Sequence, residues 1–501
     1  MLLKYSRRVM VLLSALFLLS SCKKYINLEP KDATYDQVFW SNGANVDKAL
    51  SGIYKSIRDA YRAGDVYNGV GSFFTLGDLP ADEFWLGGDY WNYNTLVPEG
   101  KLVFSYTPYV DVVNNWSRYY AIINLCHLVV ENADKIDDSK FDETGSLSRK
   151  QLLGEGHFLR AFTYFYITKN WGDAVLVKES LKDPTNIQPI ARSKEEDVLN
   201  YCIEDLTKAI ELLDFNTGTG RASVRADKGA ALALLAQVYA WKHDYTNAKK
   251  YCDLVISSGN YALESAATYE NIWKGQSSEN IFELFMKYDA VNKEASSGFF
   301  KTFLHDPLIK DKSESSSWPV NKDRVLEVYY NNTTQDYDTA TDIRFHKTIA
   351  GFESDYPMLI KYADVNYYDA NQPGVYVVDN NLVLLRLAET YLLKAEAEFK
   401  LGNETAAQEA LNVVKRRAGL DDYTGAGTEL YDEIVKERYR ELWGEGYLAY
   451  DLIRMNKLQD YFPGIYTPER IAKKGYYWPL DMRTLLPQDP LLTQNEWWKN
   501  H

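Results

Sequence analysis

Apolar residues recur every three or four positions along several stretches of the chain, the spacing that places side chains on one face of an α-helix. The stretch that starts at Leu382 predicts one such helix, whose apolar face is formed by Leu384, Leu387, Ala388, Tyr391, Leu392, Ala395 and Phe399. Gly402 and Asn403 then interrupt the pattern, and glycine is favoured just beyond a helix end. A second helix is predicted up to Gly419, with an apolar face formed by Ala407, Ala410, Leu411 and Val414.

The short turn between these two helices requires them to pack antiparallel. Ala395 and Ala407 lie where the helices cross, and their separation matches that of the small residues in tetratricopeptide repeats. The same order of large and small residues recurs at Leu232, Leu235, Ala236, Tyr239, Ala248, Cys252 and Val255. Further helices are predicted for residues 46–62, 111–136, 151–171, 194–213 and 430–442. The sequence therefore predicts an all-α fold built on a tetratricopeptide-like scaffold of helical repeats.

The helical pattern weakens in the middle of the chain, where Ser, Asn, Asp and Gly become common and only residues 281–286 suggest a short strand. We predict a single α-helical domain over residues 22–501. It comprises an N-terminal half with helix pairs (22–260), a long irregular, loop-rich insertion (261–381) and a C-terminal helical hairpin with the segments that follow it (382–501). A long irregular region within a helical body often carries function.

The first residues have the features of a lipoprotein signal peptide. Lys4, Arg7 and Arg8 precede an apolar run over residues 9–19, which is shorter than the ~20 residues of a membrane-spanning helix. The run ends in Leu-Ser-Ser-Cys, which predicts removal of residues 1–21 and attachment of lipid to Cys22. The alternative is an ordinary secretory signal followed by a chance cysteine.

Composition limits the classes of partner and of covalent chemistry. The net charge is −14, and it becomes −17 once the three basic residues of the predicted signal peptide are removed. So acidic a chain is not expected to bind nucleic acid through phosphate contacts. Cys126, Cys202 and Cys252 are widely spaced within helical patterns, and no CxxC motif occurs. They are predicted to be buried and unpaired, with no role as a disulfide framework or a metal site.

The segment of residues 82–94, DEFWLGGDYWNYN, is called the aromatic segment below. Its aromatic residues follow neither a two-residue nor a 3.6-residue period, so they are expected to be displayed on a loop: Phe84, Trp85, Tyr90, Trp91 and Tyr93. Exposed ring faces suit the C–H faces of sugars, and Asn, Asp and Arg side chains hydrogen-bond sugar hydroxyls. The alternative is that some of these rings fill the core of the scaffold.

Further aromatic residues in the irregular region are expected to contribute to the same site. Tyr288 and Trp318 are the candidates, because Trp318 stands between a run of serines and Pro319, a context that favours exposure. Phe299 and Phe300 are predicted to belong to the core.

Signals of catalysis and of metal binding are weak. The chain contains no HExxH, GxSxG, P-loop or GxGxxG motif. Asp82 and Glu83 are adjacent on a predicted loop, which does not ensure the ~5–9 Å carboxylate separation that a glycosidase requires. Asp336, Asp338 and Asp342 resemble a calcium loop but lack its glycine and its final glutamate, so a solvated acidic loop is expected. We expect no catalytic residue, no metal and no cofactor.

Several motifs in the chain resemble the SusD/RagB family, nutrient-binding lipoproteins of the Bacteroidetes-type outer membrane. They are LLRLAETYLLKAEA (384–397), KRRAGL (415–420), ERYREL followed by EG and DLIR (437–454), and WPLDMRTLLPQDPLLTQN (478–495). The chain departs from the family pattern in having Tyr447 and Leu448 after the EG pair, and in its terminal Glu-Trp-Trp. The charged residues Arg438, Arg440, Glu441 and Arg454 are predicted to form an internal salt-bridge network between helices.

The resemblance implies a SusD-like protein, lipid-anchored on the outer membrane and facing the cell exterior. Such a protein binds oligosaccharide and passes it to a SusC-like TonB-dependent transporter. The family's glycan sites draw on an aromatic residue, an amide and an arginine, for which Trp91, Asn94 and Arg62 are the nearest matches. The predicted ligand-binding set is Trp91, Tyr90, Trp85, Asn94, Arg62, Trp318 and Tyr288. The alternatives are a RagB-like oligopeptide-binding protein, against which the aromatic segment weighs, and an α-helical glycoside hydrolase.

Overall fold

The structure, a computed structural model, describes residues 39–64, 71–85, 113–142, 148–181, 188–216, 221–287, 297–310, 316, 318–367 and 376–501. Helices make up 55% of it, and the strands are short. The all-α class predicted from apolar periodicity is therefore confirmed. Within the described ranges, we find no helix that combines the length and the apolar character of a membrane span.

The first part of the fold is a series of helices, several of which begin at a side-chain cap. In four of these helices, the side chain of the residue before the first turn accepts a hydrogen bond from a backbone N–H of that turn. Such an N–H has no acceptor within its own helix. The four capping residues are Asn42, Ser148, Asp227 and Asp244. The helices are α1 (Gly43–Arg62), α2 (Gly71–Gly77), α3 (Ser117–Ala133), α4 (Ser139–Asp142), α5 (Arg149–Trp171), α6 (Glu195–Leu212), α7 (Lys228–Trp241), α8 (Tyr245–Ser257) and α9 (Asn271–Lys274).

Short strands and helices follow in the region that lacks helical periodicity. They are β1 (Asn280–Leu284), α10 (Ser297–Phe300), α11 (Lys322–Tyr329), β2 (Tyr330–Asn331), β3 (Asp336–Tyr337), α12 (Ile343–Thr348), β4 (Ile349–Ala350), β5 (Met358–Leu359), β6 (Val365–Tyr367), β7 (Tyr376–Val378) and β8 (Leu382–Arg386). Among the described residues, the strands form antiparallel pairs: β1 with β8, β2 with β3, β4 with β5, and β6 with β7. The short strand predicted near residue 281 is confirmed as β1.

The helix predicted to start at Leu382 begins later than expected. Residues Leu382–Arg386 form strand β8, and the helix starts at Leu387. Every residue of β8 is buried, as is every residue of its partner β1. A strand that is buried on both faces has a continuous apolar run with no alternation, and such a run cannot be distinguished from the start of a buried helix by periodicity.

The C-terminal part returns to helices, and it contains the second helix pair predicted from the sequence. The helices are α13 (Leu387–Lys400), α14 (Glu404–Arg417), α15 (Gly427–Leu442), α16 (Leu448–Arg454), α17 (Leu458–Tyr461), α18 (Pro468–Ala472) and α19 (Leu485–Gln488). The pairs α7–α8 and α13–α14 are the tetratricopeptide-like hairpins, and α8 packs against α13. Small side chains allow this close approach, and they form a cluster of Ala236, Ala240, Ala248, Cys252, Leu393 and Ala397.

A network of buried ion pairs links the helical part to the strand pair β1–β8. Arg386, at the end of β8, bonds Glu279 at 2.9 Å, Glu445 at 2.7 Å, and Glu441 of α15. Glu441 also accepts hydrogen bonds from Arg417 of α14 and from Arg344 of α12. The side chains of Arg386, Glu441 and Arg344 are completely buried. Among the other predicted members, Arg438 pairs with Asp451 at 2.6 Å, Arg454 with Glu396 at 2.6 Å and Arg440 with Glu437 at 3.2 Å. The predicted internal network between helices is thus confirmed, and it extends further than the sequence indicated.

Two other predictions about buried groups have different outcomes. Cys126, Cys202 and Cys252 are buried and unpaired, as predicted. The prediction of a solvated acidic loop is wrong for Asp342, which is buried because its carboxylate caps α12 and pairs with Arg344 at 2.7 Å.

A ligand-binding candidate at the base of the aromatic segment

The segment of residues 78–85, called the base below, leads from helix α2 to the first exposed ring of the aromatic segment. It contains a 3-10 helix, Leu79–Ala81, after which Asp82 adopts a left-handed conformation with φ of 59°. Tyr439 of α15 donates a hydrogen bond to the Ala81 carbonyl at 3.0 Å. These contacts place Glu83 and Phe84 in the interior, while Trp85 is 53% exposed.

Two buried carboxyl groups of the base hold the turn that follows α15. Glu83 Oε1 accepts a hydrogen bond from the Gly444 N–H at 2.7 Å, and the Asp78 carboxyl accepts from the Gly446 N–H at 2.9 Å. Gly444 and Gly446 have φ of 67° and 73°, in the left-handed region that favours glycine. A Cβ at Gly446 would lie 2.4 Å from the ring of Phe73, so a side chain has no room there.

Burial raises the pKa of both carboxyl groups. For Asp78 it raises the pKa to about 7. The pKa of Glu83 lies well above its usual value, first because of burial and second because of the negative charge of Asp78. The Gly444 N–H and the positive charge of Lys361 favour the charged form of Glu83, but they do not offset the cost of burying that charge. The base therefore retains a proton in this pair at pH values where an exposed carboxyl has lost it.

The other side of the base is held by the chain around Trp318. The Trp85 N–H donates to the Pro319 carbonyl at 2.9 Å, and the Asn321 N–H donates to the Glu83 carbonyl at 2.9 Å. The Asn321 side chain adds a hydrogen bond from Nδ2 to the Asp82 carbonyl at 3.1 Å. The backbone of the base is consequently fixed from two directions up to Trp85 itself.

The structure contradicts the expected exposure of Trp318. This side chain is 1% exposed, and its ring packs against Phe84 with 5.7 Å between centroids. It lies beneath the base because the residues after it pair with the base through backbone hydrogen bonds. Trp318 is therefore a core residue beside Phe84, and its buried ring is not available to a ligand. Phe299 and Phe300 are buried, as predicted.

The remaining predicted residues have mixed positions. Arg62 is the last residue of α1, which packs against α2 just before the base. Trp91, Tyr90, Asn94 and Tyr288 lie outside the described residues, as does the predicted lipidation site Cys22. Their part in a site stays a prediction. The structure therefore brings one predicted ring, Trp85, to the surface on a fixed base.

Sequence reasoning did not identify Asp78, or the glycines of the turn after α15, as parts of this region. The sequence signal was present in the GEG triplet at Gly444–Gly446, since closely spaced glycines indicate positions that require left-handed backbone or close approach. The partner of that turn could not be identified, because more than three hundred residues separate Glu83 from Gly444.

The geometry of Asp82 and Glu83 is unlike that of a glycosidase pair. Glu83 is completely buried and bonded to a backbone N–H, whereas Asp82 faces Arg324 at 3.5 Å on the surface side. Glu83 is thus withdrawn from any ligand that Trp85 could contact. Among the side chains that the structure describes, no group of three or more His, Cys, Asp or Glu residues is arranged to hold a metal ion.

Comparison with families and relatives covers most of the chain. A family model described as the SusD family matches residues 261–498, and one described as starch-binding associating with outer membrane matches residues 79–240. The chain is 27% identical to SusD-like protein P38 of Formosa agariphila, over 97% of each chain. It is 24% identical to the starch-binding protein SusD of Bacteroides thetaiotaomicron, over 62% of this chain and 66% of that protein.

Solved structures show the same fold. One similar structure is a SusD superfamily protein of Bacteroides thetaiotaomicron, with a TM-score of 0.74, 25% identity, and coverage of 92% of this chain and 99% of that one. A SusD homolog of the same organism superimposes with a TM-score of 0.75 at 22% identity, covering 92% of this chain and 100% of the other. The similarity therefore extends over nearly the whole length of each structure.

Proposed function

Since this chain belongs to the SusD/RagB family, we propose that it captures oligosaccharide at the outer membrane and delivers it to a TonB-dependent transporter, without catalysing a reaction. Capture would take place at the aromatic segment. Delivery is supported by the family resemblance, and attachment to the membrane by the predicted lipid on Cys22. The protein would face the cell exterior.

The observation that carries the sugar-binding part is the exposure of Trp85 on a fixed base. Trp85 is 53% exposed, so a face of its ring is open to a ligand, and aromatic ring faces suit the C–H faces of sugars. Its backbone N–H donates one hydrogen bond to the Pro319 carbonyl, and the preceding residue, Phe84, packs in the core against Trp318. Because the backbone that carries the ring is already fixed, stacking of a sugar on the ring requires no further ordering of the backbone.

The other members of the predicted set extend this site. Trp91 and Tyr90 would supply further ring faces, and Asn94 and Arg62 would bond hydroxyl groups. A similar protein that is named for starch binding, the SusD of Bacteroides thetaiotaomicron, supports a glycan as the ligand. Peptide capture would depend mainly on hydrogen bonds to the ligand backbone, which aromatic platforms do not provide.

The test compares single substitutions in the mature protein, titrated with an oligosaccharide panel by calorimetry. Trp85→Ala and Trp91→Ala should each weaken binding of the best ligand by roughly tenfold, because each removes one stacking ring worth about 1–1.5 kcal/mol. Trp85→Ala should leave the melting temperature almost unchanged, since the ring contributes little to the core.

Two further variants act as controls. Tyr337→Ala removes an exposed ring on the β2–β3 hairpin and should leave binding unchanged. Trp318→Ala should lower the melting temperature strongly, because truncating a buried Trp costs ~3–5 kcal/mol. The proposed site is wrong if Trp85→Ala and Trp91→Ala both bind every panel sugar as tightly as the wild-type protein does.

A further inference from the structure

A cavity outside the proposed site shares no residue with the base of the aromatic segment, although its residue Tyr476 and Pro80 of the base line the same small neighbouring cavity. Its volume is about 640 Å³, within the ~300–1,000 Å³ that small-molecule sites occupy. Its walls are the start of α6, the turn between α7 and α8, the end of α16, and the chain around Lys474–Tyr477. Elements from distant parts of the sequence thus converge on one polar depression.

Glu195, the first residue of α6, fixes three of these walls to one another. Its Oε1 accepts hydrogen bonds from Trp241 Nε1 at 2.8 Å and from the Tyr477 hydroxyl at 2.6 Å. Its Oε2 accepts from Lys474 Nζ at 2.9 Å. All the elements that carry these side chains are tied by a single carboxylate, so the cavity is preformed.

The charges around the cavity are balanced. Each basic side chain that lines it has an acidic partner within 4 Å: Lys194 with Asp173, Lys242 with Glu196, Lys474 with Glu195, and Arg454 with Glu396. A charged ligand would have to displace a partner from one of these pairs, at a cost of up to about 1 kcal/mol for an exposed pair, whereas a neutral polar ligand leaves them in place.

The start of α6 is also closed to an anion. The Asp173 carboxylate accepts a hydrogen bond from the Glu195 N–H at 2.9 Å, which occupies the position that a bound anion would take at a helix N-terminus. The cavity therefore favours uncharged ligands on this side as well.

Three polar groups that line the cavity retain hydrogen-bonding capacity. The side-chain amide of Asn456 and the hydroxyl of Tyr476 make no hydrogen bond with another described residue. Tyr476 stays a donor over the whole physiological range, because burial raises the pKa of its hydroxyl to about 12. His243 is bonded through Nδ1 to the Tyr245 hydroxyl at 3.2 Å.

The Tyr245 contact also defines the acceptor on His243. The Tyr245 hydroxyl donates to Glu396, so the hydrogen between Tyr245 and His243 belongs to Nδ1, and Nε2 is left as an acceptor. Burial lowers the pKa of His243, which keeps the ring neutral near neutral pH. Donors and acceptors of this kind, placed beside the ring of Tyr476, match the paired hydroxyls and C–H face of a sugar.

We propose that this cavity binds a neutral sugar ring or a comparable polyol, as a second site formed by Asn456, Tyr476 and His243 with Glu195 as its support. The proposal does not depend on binding at the aromatic segment, because the two regions have no residue in common. It adds a second contact point for the glycan chain, or a site for a short sugar.

The test measures sugar binding at each site through a separate fluorine signal. The full mature protein is labelled with 5-fluorotryptophan, and the ¹⁹F signals of Trp241 and Trp85 are assigned with Trp241→Phe and Trp85→Phe. Glucose, galactose, mannose and maltose are titrated, with glucosamine and glucuronic acid as charged comparators. We expect the neutral sugars to shift the Trp241 signal at concentrations at which the two charged sugars do not.

Variants then identify the polar groups. Asn456→Gly removes the amide and still accommodates the local φ of 57°, and Tyr476→Phe removes the hydroxyl but keeps the ring. Each substitution should lower the sugar affinity that the Trp241 signal reports by up to about tenfold, as the loss of one hydrogen bond does. Asn332→Ala, at an exposed position of the β2–β3 hairpin, is the matched control and should have no effect.

The outcomes separate the two proposals. A shift at Trp85 without a shift at Trp241 overturns the second site and leaves the proposed function intact. A shift at Trp241 alone supports the second site and counts against Trp85 as a platform. The second site is also overturned if charged sugars act as strongly as neutral ones, or if both cavity variants titrate like the wild-type protein.

Discussion

Burial raises the pKa of Asp78 and Glu83, so the protonation of single residues under the aromatic segment is coupled to folding. In the unfolded chain both carboxyls lose their protons near pH ~4, whereas in the folded chain Asp78 retains its proton up to about pH 7 and Glu83 also titrates later than usual. Between these values the folded state binds more protons, and the free energy of unfolding therefore decreases as the pH rises.

Glu83→Gln should make that decrease shallower. The amide oxygen of Gln can still accept the Gly444 N–H, while the substitution removes one of the two titrating groups of the pair. Urea unfolding at a series of pH values between about 5 and 8 measures the slope.

Asp137→Asn is the matched control, because Asp137 is exposed and its pKa is lowered by hydrogen bonds from Ser139. It is ionised in both states over this range, so the slope should stay as in the wild-type protein. An equally steep decrease in Glu83→Gln would show that this carboxyl pair does not govern the pH dependence.

The residue scale is also where sequence reasoning failed most clearly. The exposure of Trp318 was inferred from its serine and proline neighbours, but backbone pairing of the residues beside it with the base decides its burial. Phe299 and Phe300 were placed correctly, because a pair of adjacent large apolar residues is rarely left in solvent. Local context thus predicts the preference of a residue, and long-range pairing decides its position.

At the scale of elements, the buried ion network has the largest consequence for stability. Glu441 of α15 accepts hydrogen bonds from arginines on three other elements, Arg386, Arg417 and Arg344. These positive charges lower the pKa of Glu441 well below its usual value despite complete burial. The elements β8, α12, α14 and α15 are therefore held to one another through one carboxylate.

Glu441→Gln should destabilise the fold by about 3–5 kcal/mol, because it leaves buried arginine charges without their counter-charge. Chemical denaturation measures the change. Asp59→Asn breaks the exposed Lys55–Asp59 pair, which has a 2.6 Å separation, and should cost less than about 1 kcal/mol. Equal costs for the two substitutions would mean that the network contributes no more than a surface ion pair.

The elements themselves could mostly be predicted from the sequence. The helix pairs were predicted correctly because amphipathic faces, small residues at crossings and glycine at helix ends all indicated the same boundaries. Strand β8 was mistaken for the first turn of α13, since burial on both faces removes the alternation that identifies a strand. The helices could therefore be read from local periodicity, and the strand pair could not.

At the scale of the whole molecule, one apolar cluster contains residues from both ends of the described chain, from Val46 to Trp498. The predicted single domain over residues 22–501 is consistent with such a cluster and stays a prediction. It implies one cooperative unfolding transition.

The position of the whole molecule in the cell depends on Cys22, which lies outside the described residues. Cys22→Ala should leave the protein unprocessed or released, because acyl chains contribute ~0.8 kcal/mol of membrane affinity for each buried methylene. Cell fractionation with detection of the protein in the outer-membrane pellet measures this. Cys126→Ala is the control, since that cysteine is buried in α3 and should not affect fractionation. The anchor assignment fails if the Cys22→Ala protein remains in the pellet.

The contact between Glu83 and the turn at Gly444 also constrains the order in which the protein can mature. Ribosomes and export machinery deliver the N-terminus first. The aromatic segment therefore emerges long before the glycines whose N–H groups bind the carboxyls of its base. A fragment that ends before Gly444 would contain every ring of the proposed site and would lack the turn that binds Glu83 and Asp78. We therefore expect the proposed site to reach its final geometry only after the last part of the chain has been made, so a fragment that ends before Gly444 should bind ligand more weakly than the whole protein.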